Sequence, residues 1–116
     1  MNRRLMIALL SLGLALSLAP GISFAQALAQ EDHLAQAISH TREAVVAGRE
    51  GKPDSLVLHA RNALEHAVAA QKEQPNWHVK RGVNRLKEAI KFGEAKRRAA
   101  TRIADRTLQE LERAPK

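Results

Sequence analysis

The 116-residue chain has no cysteine and no tyrosine, and only 3% of its residues are aromatic. Without cysteine there can be no disulfide framework, thiolate zinc site, iron–sulfur cluster or cysteine nucleophile. The shortage of aromatics argues against a β-sandwich or barrel, whose strands draw on large flat and β-branched side chains. What is abundant is alanine, leucine, lysine, arginine and glutamate, the residues that favour helices. Acidic side chains are the minority, 12 against 19 basic, for a net charge of +7. Such a balance suits an anionic membrane surface or nucleic acid.

The N-terminus narrows that choice. Met1-Asn2-Arg3-Arg4 is a short positive segment, and Leu5 to Ala19 is an uncharged apolar run ended by Pro20-Gly21. Small residues then recur at Ser23, Ala25, Ala27 and Ala29 with the spacing a signal peptidase reads. The apolar run falls short of the ~20 residues a spanning helix needs. Residues 1–25 therefore read as a cleavable export signal, with cleavage as late as residue 29, and the product as periplasmic or secreted from a bacterium. Roughly 90 residues remain, enough for one small core and too few for two. Nucleic acid is not expected as a partner, because only Trp77 and Phe92 offer rings for bases to stack on.

From Glu31 onward apolar residues recur at alternating spacings of three and four, the period of a helix, with no strand-like alternation. Leu34, Ile38, Thr41, Val45 and Gly48 form one stripe, and Leu56, Ala60, Ala63, Ala67 and Ala70 a second. Val79, Val83, Leu86, Ile90 and Gly93 form a third, and Ala99, Ile103, Thr107, Leu108 and Leu111 a fourth. Gly48 to Pro53 ends the first helix, with Asp54 expected to cap the second. Gln74-Pro75-Asn76 divides the chain, with Asn76 expected to cap the third, and the turn near Gly93 is the least marked boundary.

The halves resemble each other. His33-Leu34 recurs as His78-Val79, Arg42-Glu43-Ala44-Val45 as Lys87-Glu88-Ala89-Ile90, and Gly48 as Gly93, all at one offset that shortens by a residue after the turn. The expectation is an all-α four-helix bundle of two similar hairpins, 31–74 and 75–116, forming one domain over 31–116. So many contact positions are alanine or glycine that each helix contact should bury little apolar area.

Charge divides unevenly between the hairpins. Residues 31–74 hold seven acidic and five basic side chains, whereas 75–116 hold five and twelve. Lys96, Arg97 and Arg98, followed by Arg102 and Arg106, make the second hairpin a candidate contact for an anionic envelope surface or an acidic protein. A non-metal helical adaptor of that kind is the alternative to the reading that follows, and a monomer or weak dimer is expected in either case.

Five histidines, His33, His40, His59, His66 and His78, carry the remaining chemistry. None lies three or four residues from another, so no single helix can grip an ion through two imidazoles. His33 and His40 are two turns apart, as are His59 and His66. If the first two helices run antiparallel about the turn, His40 meets His59 and His33 meets His66, near the edge of the buried face. Helix axes about 8–10 Å apart let two imidazoles approach one ion. Glu43, Asp32, water or a second molecule would supply further ligands. Nitrogen with oxygen suits copper(II), nickel(II) and zinc, with copper(II) first by intrinsic affinity. Imidazole binds metal only when neutral, so affinity should fall below about pH 6.5.

The runs His33-Leu34-Ala35-Gln36-Ala37-Ile38-Ser39-His40, Leu58-His59-Ala60, Leu64-Glu65-His66-Ala67, His78-Val79 and Leu86-Lys87-Glu88-Ala89-Ile90-Lys91 resemble those of the small metal-binding protein family. The resemblance covers most of residues 33–114. It implies a periplasmic, histidine-rich four-helix protein that scavenges or buffers divalent metals, copper especially, without catalysis. This chain departs from the family pattern where Ala47, Lys52, Arg81, Arg85, Phe92, Arg97, Ile103 and Glu110 stand in place of histidine. Arginine cannot ligate a metal, so the first hairpin is the expected location of any retained site.

Other motifs fail on spacing. Gly48-Arg49-Glu50-Gly51-Lys52 lacks the phosphate-loop pattern and a preceding strand. No Glu-x-x-His occurs, which removes a ferritin-like di-iron centre, and no Ser/His/Asp set can be assigned. No catalytic residue is predicted.

Overall fold

A computed structural model describes residues 33–115. The segment read as an export signal, and Asp32, lie outside the described residues. Four helices follow one another: α1 (His33–Arg49), α2 (Pro53–Glu73), α3 (Trp77–Glu94) and α4 (Ala99–Glu112). Each packs on the next, and α4 closes back onto α1, giving a four-helix bundle with no strand among the described residues. None of these helices is long and apolar enough to cross a membrane.

The duplication extends to the backbone of the turns. After α1, the Gly51 N–H donates to Gly48 O at 3.1 Å and the Lys52 N–H to Ala47 O at 2.9 Å. After α3, Lys96 donates to Gly93 O and Arg97 to Phe92 O, both at 2.9 Å. Gly51 takes φ 72°, and Lys96 at the matching place takes φ 55°. Both turns thus stop their helices with a left-handed residue that lets the last carbonyls find donors. The α3 boundary, poorly marked in sequence, is set by Lys96 adopting this conformation without being glycine.

Asn76 caps α3 as expected, its Oδ1 accepting from His78 N at 2.8 Å and Val79 N at 3.4 Å. Asp54 does not cap α2. Lys52 holds the cap position without a side-chain hydrogen bond, Pro53 starts the helix, and Asp54 lies in the first turn. There its charge complements the helix dipole rather than a single N–H.

The innermost line of the core consists of smaller residues than the sequence stripes imply. Ala37, Ala44, Ala47, Ala60, Ala63, Ala67, Ala89, Ala100 and Ala104 are buried around Leu56, Leu86 and Leu111. Val83, Ile90, Ile103 and Leu108 are only partly buried and flank that line. On α4 the buried face therefore runs through Ala100, Ala104, Thr107 and Leu111 rather than Ala99 and Ile103. Small residues let backbones approach until larger neighbours are displaced to the seams. A Cβ placed on Gly93 would sit 2.7 Å from Val57 Cγ2, and one on Gly48 2.9 Å from both Leu56 Cδ1 and Thr101 Cβ. The buried Thr41 and Thr107 hydroxyls donate to Ala37 O at 2.7 Å and Ile103 O at 2.8 Å, so neither is left unpaired.

Candidate metal centre

The seam between α1 and α2 carries a continuous row of four imidazoles. Because the helices run in opposite directions, residues two turns apart on each interleave: His33, then His66, then His40, then His59. Ring centroids are 5.4 Å apart for His33 and His66, 5.6 Å for His66 and His40, and 6.2 Å for His40 and His59. His40 and His66 are nearly parallel, at 3°. All four are half-buried, with a core face behind them and water in front.

At one end of the row, His40, Glu43 and His59 each bring a ligand atom within 4.8 Å of the others. The His59 Nδ1 lies 2.9 Å from Glu43 Oε2 but without the angle of a hydrogen bond. His40 Nδ1 and His59 Nδ1 are both buried atoms with no hydrogen-bond partner. A buried nitrogen left unpaired costs about 1–3 kcal/mol, a cost that falls on His40 Nδ1 more than on His59 Nδ1, which has Glu43 beside it. A groove of about 390 Å³, lined by Ser39, Arg42, Glu43, Val46 and Ser55, opens beside His59 and gives this end access to solvent.

At the other end, His33 Nδ1 and His66 Nδ1 lie 3.1 Å apart. Two nitrogens on one ion at ~2.0–2.1 Å stand about 2.9 Å apart at a right angle and about 3.4 Å apart in a tetrahedron, so 3.1 Å is a spacing one ion can bridge. The outer nitrogen of His33, Nε2, lies 3.5 Å from Glu73 Oε1. Each end of the row has two imidazoles and an exposed carboxylate nearby, but among the described residues only His40, Glu43 and His59 bring three ligand atoms together. At the other end the two imidazoles share a hydrogen bond and Glu73 faces the far nitrogen of His33. Sequence reasoning named Glu43 but missed Glu73. The signal was present: His59, His66 and Glu73 repeat at one two-turn interval along α2.

Burial, followed by the neighbouring His40 and His33, holds the His66 ring below the ordinary histidine value, with Glu65 pulling the other way. A ring so placed keeps its lone pair at neutral pH, the state that can ligate.

The structure does not bring His78 to this row. His78 lies in the first turn of α3, and its Nδ1 lies 2.6 Å from Oε2 of Glu110, a carboxylate only 4% exposed. Glu110 Oε1 faces Arg81 at 3.6 Å, and the Trp77 ring stacks beside His78 with centroids 3.9 Å apart. The hydrogen bond from His78 is the main cause of a Glu110 carboxyl held below the usual carboxylate range; burial opposes it, and Arg81 and Arg113 assist. His78 is thus engaged by Glu110.

The basic residues of the second hairpin divide between two places. Lys96, Arg97 and Arg98 stand at the turn end, where with Lys52 they rim a cavity of about 240 Å³ floored by Leu56 and Ala100. Arg97 also lies over the Phe92 ring at 5.3 Å. Arg102 and Arg106 are exposed further along α4.

A comparison with curated proteins finds no match. A family model described as "Small metal-binding protein" matches residues 6–114, nearly the whole chain. Together with the four-helix bundle and the imidazole row, that match places the chain in the small metal-binding protein family.

Proposed function

We propose that this protein binds divalent metal ions, copper(II) foremost and nickel(II) or zinc after it, at the histidine row of the first hairpin, and that it sequesters or buffers them after export to the periplasm. One observation carries the reading: two buried Nδ1 atoms, on His40 and His59, have no hydrogen-bond partner and stand beside the Glu43 carboxylate. A cation supplies both with a partner at once. Nitrogen with carboxylate oxygen is a donor set that copper(II), nickel(II) and zinc share, and the intrinsic order of affinity favours copper(II). His33 Nδ1 and His66 Nδ1, 3.1 Å apart, offer a second pair of nitrogens, with Glu73 on the other nitrogen of His33. Export is supported by the charged segment, apolar run and small residues of the leader, and the family match itself begins within that run. The role is one of binding, with no reaction assigned to it.

Calorimetric titration of the protein with each of the three ions tests the reading, at about pH 7.5 and again at about pH 5.5. Saturable binding that weakens at the lower pH is the expected result. Absence of binding at the higher pH overturns it.

A further inference from the structure

The second hairpin has its own seam, between α3 and α4, at the place the histidine row holds in the first. Arg85 stands at the position matching His40, and Glu110 at the position matching His66. Here the seam opens as a groove of about 290 Å³, lined by Arg85, Arg106, Gln109, Glu110 and Arg113. The one carboxylate in that lining is already engaged by His78 and Arg81. Among the described residues, Arg42, Arg49, Arg61 and Arg81 each form an ion pair. Arg85, Arg106 and Arg113 form none, as is also true of Arg97, Arg98 and Arg102, but only the first three share a groove.

Three arginines line the groove against one carboxylate, Glu110, which His78 and Arg81 already engage and whose charge Arg113 also feels, so the lining keeps a net positive charge. Guanidinium is a planar fork of N–H donors that matches the oxygens of phosphate in pairs and stays charged at every physiological pH. Gln109, whose amide donates one N–H to Asp105 at 3.4 Å, has a second N–H left for a ligand. We infer that this groove binds a phosphoryl oxyanion, with Arg85, Arg106 and Arg113 as its donors, carried either by free phosphate or by a phospholipid headgroup. The duplicated hairpin thus presents opposite chemistry at matching seams: cation ligands in the first half and anion donors in the second. The anion site does not depend on the metal reading.

The test follows the side-chain N–H resonances of the full protein during titration with inorganic phosphate. Separately, its sedimentation is measured with vesicles of pure phosphatidylcholine and of equimolar phosphatidylcholine and phosphatidylglycerol. Expected are shifts that saturate and are confined to Arg85, Arg106, Arg113 and Gln109, and binding weakened about tenfold or more by Arg85→Gln with Arg106→Gln. The charge-matched pair Arg98→Gln with Arg102→Gln, outside the groove, should bind as the parent does. Phosphate binding with this pattern identifies the free ion as sufficient. Binding only to the anionic vesicles, with the same pattern, identifies the headgroup. Equal weakening by both variant pairs, or no response at the groove in the unmodified protein, overturns the inference. The shift map needs no variant, so a substitution that disturbs folding does not remove the test.

Discussion

Glu110 holds His78 at the position where, in the first hairpin, His66 faces His33. One pair is an ion pair at 2.6 Å, the other two imidazoles at 3.1 Å. The Glu110 carboxyl is held below its ordinary value by the His78 hydrogen bond first. The folded state therefore favours the ionised carboxylate. Its contribution is present above the unfolded pKa, near 4.3, and is lost as pH falls through the lower folded value. Glu110→Gln should cost about 1–3 kcal/mol at neutral pH. It should also flatten the loss of stability on acidification. Urea midpoints at neutral and acidic pH check both, and parallel pH curves for variant and parent would refute the assignment.

Under the proposed role the row holds two donor sets. Replacing His40 and His59 together by alanine should remove one bound ion and leave the other. Replacing His33 and His66 should do the reverse. Calorimetric stoichiometry decides, and an unchanged ion count in the His40/His59 variant would show that those rings do not ligate.

Gly48 leaves no room for a side chain between α1 and the pair of Leu56 and Thr101. Gly48→Ala places a methyl group within 2.9 Å of Thr101 Cβ and Leu56 Cδ1, and Leu56 is 1% exposed and cannot swing away. Overpacking of this kind costs about 1–3 kcal/mol, against roughly 1 kcal/mol regained from helix propensity. A net fall in thermal midpoint is expected, and a variant as stable as the parent would mean that the helices separate at little cost.

Lys96 adopts the left-handed backbone that Gly51 adopts in the first turn. A side chain in that region costs about 1 kcal/mol. Lys96→Gly should therefore raise stability by about 0.5–1 kcal/mol, net of the greater freedom glycine has when unfolded. Denaturant unfolding measures it, and a loss of stability would mean that the lysine side chain contributes contacts the backbone argument omits.

Much of the fold was legible because its signals are local. Helical spacing, the Asn76 cap, the glycine after α1 and the repeat each act within a few residues, and the turn-centred register brought His33 to His66 and His40 to His59 on paper. The departures arise where packing overrides local pattern. Lys96 carries no mark of the turn it makes, because the backbone hydrogen bonds that close the turn, from Lys96 to Gly93 and from Arg97 to Phe92, do not depend on its side chain. Val83, Ile90, Ile103 and Leu108 read as core from hydropathy, yet alanine and glycine fill the centre because close backbone approach leaves no space for branched chains. His78 stood behind the other four histidines as a candidate ligand, and its partner Glu110, 32 positions away in sequence, carried no local signal.

A row of four rings can be divided like a strip covered by dominoes. Two tiles cover it completely only when they lie on the end pairs, His33 with His66 and His59 with His40. A tile laid across the nearly parallel middle pair, His66 with His40, strands a single ring at each end. Glu73 and Glu43 stand beside the outer rings and none of the carboxylates paired with the row stands at its centre. Under the proposed role, the carboxylates that pair with the row favour the arrangement that covers the strip, and the place of two acidic residues bears on the number of ions the hairpin carries.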